Sequence, residues 1–205
     1  MIKKLILLLL CAWGTTHAHN PKIATYNLRD TGIGWYLEMS FARSTLDKQM
    51  IQLHGEDLVK NSTKAEYQKL IVNYLMDHIF IEADGTDLAF GQGGIRLGDH
   101  QTDLKYIIKS LSDPQHLNVK INTFEEERNH TNLFRIYKGD VQIGKYFLSE
   151  ENQFSTQFMI ENDKIISINQ ASLNRSTPFS TKIILVIGLI PILAGLLFMV
   201  NKLKK

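Results

Sequence analysis

Seven histidines, one cysteine and 21 carboxylates are the side chains with which this 205-residue chain could run metal, nucleophilic or acid–base chemistry. The cysteine drops out first. Cys11 lies inside the apolar run Leu5–Ala12, behind Leu10 rather than the small residue that precedes a lipid-modified cysteine. It belongs to a leader that is removed, and its loss excludes disulfides, thiolate zinc sites and cysteine nucleophiles together. Acyl transfer lacks a Gly-x-Ser-x-Gly elbow. The glycines Gly91, Gly93, Gly94 and Gly98 do not form a phosphate loop, because Arg96 stands at the sixth position from Gly91 and no Gly-Lys-Ser/Thr follows. They are expected at strand ends or bulges. Glu125, Glu126 and Glu127 beside Arg128 and His130 lack the alternating oxygen ligands of a calcium loop, so they read as a solvated turn. No carboxylate pair is singled out for glycoside hydrolysis.

Histidine leaves one sharp metal hypothesis. Cleavage after Ala18 makes His19 the first residue, and its imidazole and freed α-amine can chelate one copper or nickel ion. His54, His78, His100, His116 and His130 are scattered without a His-x-x-x-His spacing, and Asp103 joins His100 only if that stretch is helical. The competing reading makes His19 a polar residue that follows a cleavage site. No catalytic residue and no resident cofactor are assigned.

The two ends of the chain say where it resides. Lys3 and Lys4, the apolar run and the small residues Thr16 and Ala18 form a secretory signal peptide over 1–18. Ile183–Val200 is eighteen residues without a charge, about 27 Å of helix, enough to cross a bilayer. Lys202, Lys204 and Lys205 in the tail 201–205 keep that end cytoplasmic, which leaves the N-terminal domain on the periplasmic side of a single-pass protein. Pro191 is tolerated in such a helix, and Gly188 and Gly195 stand seven apart rather than four, so the segment reads as an anchor and not a dimerisation device. Six of the 23 basic residues lie at these ends, so residues 19–181 hold 17 basic against 21 acidic side chains. That balance argues against nucleic acid as a partner. The polar run 172–182 is the expected tether, and 19–171 the exported domain.

Within the domain, Trp35, Leu37, Met39 and Phe41 alternate with Tyr36, Glu38 and Ser40, a half-buried strand. Thr31–Gly34 joins it in a hairpin to a first strand at Ile23–Leu28, while Thr45–Leu53 reads as short helix or loop. Thr63 and Glu66 make a capping box for a helix over Lys64–His78, whose buried face is Tyr67, Leu70, Ile71, Tyr74 and Leu75. Strands are expected at Ile79–Ala83, Leu88–Phe90, Ile95–Leu97, Leu104–Leu111 and Leu117–Phe124. A hairpin of Leu133–Tyr137 and Val141–Leu148 turns at Gly139-Asp140, and Phe154–Ile160 and a weaker Lys164–Ile168 complete the set. The fold class is mainly β (α+β): an antiparallel β-sandwich or open barrel with one principal helix, plus the C-terminal transmembrane helix.

The start at His19, the aromatic second strand, the run KAEYQKLIVNYLMDHIFIEADG and the later run HTNLFRIYKGDVQIGKYFLSEENQFS together resemble a family of small uncharacterised exported proteins of Bacteroidetes-type bacteria. The resemblance covers most of His19–Ile160 and implies fold and location only. A fainter similarity is to the outer domain of nickel-permease-like membrane proteins, which also begin Ala-His after their signal. Those continue into several spanning helices, so no transport activity is carried over. Three readings compete. First is a non-enzymatic, membrane-anchored binding or assembly module for a protein partner in the cell envelope. Second is a periplasmic metal-binding domain using His19. A hydrolase is third, to be told by a deep cleft with clustered carboxylates and histidine.

Overall fold

The computed structural model describes residues 21–109, 111–161 and 164–167. These belong to the first of two units, 1–172, into which the chain divides. The expected leader 1–18, His19, the expected tether 172–182, the apolar segment 183–200 and the tail 201–205 lie outside the described residues. Among the described residues no helix is long and apolar enough to cross a membrane.

The described chain is mainly β. It runs β1 (Ile23–Asp30), β2 (Trp35–Ala42), α1 (Arg43–His54), α2 (Glu56–Asn61), α3 (Lys64–His78), β3 (Ile79–Ala83), β4 (Thr86–Asp87), β5 (Ala89–Leu97), β6 (Gln101–Lys109), β7 (His116–Ile121), β8 (Thr131–Lys138), β9 (Val141–Leu148), a short 3-10 turn at Glu150–Asn152, β10 (Ser155–Glu161) and β11 (Lys164–Ser167). One sheet has six strands in the order β5-β6-β2-β1-β8-β9, the other five in the order β11-β10-β7-β3-β4.

Each sheet buries one face, and the two buried faces share a core with the helices. Trp35, Leu37, Met39 and Phe41 are all buried, as the alternation of β2 predicts, and Ala24, Tyr26 and Leu28 do the same on β1. Ring contacts carry the core from strand to helix. Tyr26 meets Phe41 at 5.6 Å between centroids, Phe41 meets Phe124 at 5.7 Å, and Phe124 meets Tyr74 of α3 at 5.7 Å. Phe158 of β10 stacks on Tyr146 of β9 at 4.9 Å, joining the two sheets at their other side. Each fully buried side chain of this size contributes roughly 1.5–3 kcal/mol of burial free energy.

Helix α3 starts at its capping box. Glu66 N–H donates to Thr63 Oγ1 (3.3 Å) while Thr63 N–H donates to Glu66 Oε2 (2.8 Å), satisfying two otherwise orphaned donors. Tyr67, Ile71, Tyr74 and Leu75 are buried and Leu70 is half-buried. Asp47 ties α1 to α3, accepting from Arg43 Nε at 2.6 Å and from Tyr67 Oη.

Three expectations are corrected. The six-stranded sheet is not wholly antiparallel, because β1 pairs in parallel with β8. Two hairpins, β1–β2 and β8–β9, are each closed locally, and joining them side by side sets β1 and β8 running the same way. There is also no single principal helix: α1 has 12 residues and α2 six beside the 15 of α3. Finally, Leu88–Phe90 and Ile95–Leu97 are not separate strands. Ala89, Phe90 and Ile95–Leu97 lie on one strand, β5, whose register shifts between Phe90 and Gly93, which places Gly91 in the bulge.

Candidate functional site

The period of two that buries one face of the six-stranded sheet turns the other outward, and register stacks the outward side chains into rows across the strands. From β5 to β9 the central row is Gly94, Lys105, Glu38, Asn27, Arg135, Lys145. On one side lies Arg96, Asp103, Ser40, Thr25, Leu133 (itself buried), Phe147; on the other lies Ile107, Tyr36, Arg29, Tyr137, Gln142. The face is polar, rich in cations and interleaved with aromatic rings.

A groove of about 580 Å³ opens over the β5–β6–β2–β1 side of it, lined by Asn27, Glu38, Ser40, Gly94, Arg96, Asp103 and Lys105 among others. That volume falls in the range of ligand pockets. Asp103 is the best-held group in it. Arg96 Nη2 donates at 2.6 Å, Ser40 Oγ at 2.9 Å, and Gln101 Nε2 also donates. Partial burial pushes the Asp103 carboxyl up, but these hydrogen bonds outweigh it and hold it below the usual carboxylate range. Glu38 accepts from Lys105 Nζ at 2.8 Å and lies 3.7 Å from Arg29 Nε. Three cations rest on rings: Arg29 over Tyr137 at 4.2 Å, Lys105 over Tyr36 at 4.5 Å and Lys145 over Phe147 at 5.0 Å.

A second polar cluster is closed to solvent. Asn132 Nδ2 donates to the carbonyls of Ile121 (2.8 Å) and Thr123 (3.0 Å), which fixes its Oδ1 as an acceptor for Thr123 Oγ1 at 3.2 Å and His130 Nε2 at 3.1 Å. Tyr26 Oη in turn donates to Thr123 Oγ1. His130 is therefore the Nε2–H tautomer, with Nδ1 buried and unpartnered among the described residues. Burial lowers its pKa to about 4, against the smaller opposing pull of Asn132 and Glu127. The cluster straps the 122–130 loop onto β1 and β8, a structural task. Of the acidic run beside it, Glu127 pairs with Lys48 of α1.

The histidines are not brought together. His100 lies in the β5–β6 turn while Asp103 is on β6, a strand and not the helix that would join them. His116 Nδ1 lies 3.5 Å from Asp84, and His78 Nδ1 2.7 Å from the Tyr74 carbonyl. Among the described residues no group of three or more His, Cys, Asp or Glu could hold a metal ion. His19, the sequence candidate, lies outside them. Of the sheet-face residues, the sequence points to Asp103, as a metal-site partner of His100 rather than as part of this face, and the outward positions Tyr36, Glu38 and Ser40 are legible in the alternation of β2. Comparison with family models and with curated proteins finds no match to this chain.

Proposed function

We propose that this chain is an exported, single-pass membrane-anchored binding or assembly module, and that its recognition surface is the outward face of the six-stranded sheet. The observation that carries the reading is the groove of about 580 Å³ bounded by Glu38, Asp103, Arg96 and Lys105 on rigid strands. Fixed donors and acceptors on strands give a partner a defined surface to match. The sequence supports the location: a charged, apolar and small-residue leader at 1–18, and the uncharged stretch 183–200 followed by lysines. No catalytic role is assigned, and the described domain is mainly β, with two sheets.

Site-specific photo-crosslinking of the full chain in its own membranes tests this. Gly94 lines the groove, and a Cβ added there meets nothing within 4 Å, so a side chain can leave the backbone there without a clash at its first atom. Gln157, exposed on β10 of the other sheet, is the control position. A discrete adduct from Gly94 and none from Gln157 is expected. No adduct from Gly94, or the same adduct from both positions, would overturn the reading.

A further inference from the structure

On the sheet face, Arg96 is matched by Asp103 at 2.6 Å, Lys105 by Glu38 at 2.8 Å, and Arg29 by Glu38 and Asp140, each at 3.7 Å. Arg135 and Lys145 break this pattern. They are directly opposite each other on β8 and β9, and among the described residues no carboxylate pairs with either. Like charges directly opposite on one face destabilise a strand pair, and among the described residues no carboxylate offsets this one, Lys145 resting only on the Phe147 ring. Asn27 is the neighbour of Arg135 on β1. Asn27 lines the groove, its Oδ1 is buried without a partner among the described residues, and its amide carries two N–H donors. An amide, a guanidinium and an ammonium thus stand side by side on three neighbouring strands, with no carboxylate paired to either cation among the described residues.

We propose that Arg135, Lys145 and Asn27 form a carboxylate-binding subsite for an acidic peptide segment of a protein partner. The proposal rests on the reading of this face as the recognition surface and names what it recognises. A polyanion does not fit, because the same central row continues into Glu38, the next row holds Asp103, and residues 19–181 carry four more acidic than basic side chains. A peptide does fit: a carboxylate over Arg135 and Lys145, followed by neutral or basic residues toward Glu38. Five inter-strand gaps of about 4.8 Å make the row roughly 24 Å long, the reach of about seven extended residues.

The test uses the full-length chain purified in detergent and a fluorescent heptapeptide, Glu-Ser-Glu-Gly-Ser-Gly-Ser, read by anisotropy at low salt. Binding about tenfold tighter than that of the Gln-for-Glu peptide is expected, with about tenfold loss in Arg135→Gln, in line with removal of a charged hydrogen-bond donor. Lys69→Gln on α3 leaves binding unchanged. Lys145→Glu gives Arg135 a cross-strand partner, so it raises the melting temperature while removing binding, which separates lost recognition from lost folding. Equal binding of the Gln peptide, or indifference to Arg135→Gln, overturns the proposal. So does binding of phosphatidylglycerol vesicles or inorganic phosphate in preference to the peptide. A persistent crosslink at Gly94 with no acidic-peptide binding sinks the subsite and leaves the binding module standing; loss of both sinks both.

Discussion

Nε2 of His130 lies 3.1 Å from Oδ1 of Asn132, with both side chains buried. Because the Asn132 amide is oriented by two backbone carbonyls, this contact fixes a proton on Nε2, and it is burial that keeps the ring neutral. A second proton would have to sit on Nδ1, buried and without an acceptor among the described residues.

Stability should therefore fall with acidity. The unfolded imidazole titrates near 6.5 and the folded one at about 4, so between those values the unfolded chain binds a proton that the folded chain does not. The depressed pKa leaves stability whole above pH 6.5, and it drains away as pH drops to about 4, by roughly 3 kcal/mol in all. Urea titrations from pH 7 to 4 check this, with His130→Gln expected to flatten the dependence. An equal slope in both proteins would clear His130 of responsibility.

Asn132→Asp should be worse than Asn132→Leu. The carboxylate cannot donate to the Ile121 and Thr123 carbonyls and brings an unpaired charge into the core, whereas leucine only removes the bonds. Roughly 2–4 kcal/mol is expected for the leucine variant and more for the aspartate at neutral pH. Thermal melts of the two variants at pH 7 decide the order.

Leu75→Ala should cost about 2–5 kcal/mol, since Leu75 is fully buried on the core face of α3. Leu70→Ala, at the half-buried edge of that face, should cost visibly less. Denaturant midpoints that rank them the other way would mean that the helix face is rotated from the one described.

The two adjacent glycines of β5 should respond differently. A Cβ on Gly93 would stand 2.2 Å from Cδ1 of Tyr106, whose ring lies against that backbone, while a Cβ on Gly94 meets nothing within 4 Å. Gly93→Ala is expected to destabilise by about 1–3 kcal/mol through overpacking. Gly94→Ala is expected to be neutral or to stabilise by up to about 1 kcal/mol. Adding Tyr106→Ala to Gly93→Ala should recover part of the loss in a double-mutant cycle.

What the sequence made legible was local. The capping box Thr63/Glu66 places the start of α3, and the Thr31–Gly34 and Gly139-Asp140 turns place two hairpins, because each signal lies within a few residues. Helix α2 left no signal, since Glu56–Asn61 buries no side chain and so has no apolar stripe. In α1 the buried positions are Leu46, Gln49 and Met50, and the glutamine interrupts the pattern. The candidate face was half legible. Alternation orients Glu38 and Ser40, but nothing local sets Asn27 beside Arg135, because that neighbourhood is made by a parallel pairing between the first strand and the eighth.

That pairing also orders events in time. A ribosome delivers β1 and β2 first, and Tyr26, Leu28, Leu37 and Phe41 then form a hairpin with a bare oily side and no neighbour on the β1 flank. The strand that takes that flank is β8, and Thr123, the buried partner of Tyr26, arrives just before it. Closure across so long a stretch of chain is slow, and an unpaired flank invites association with other chains meanwhile. A nascent chain halted before Thr131 would thus be sticky rather than half-folded, and any holdase that escorts this protein should dwell on its first two strands until the eighth is made.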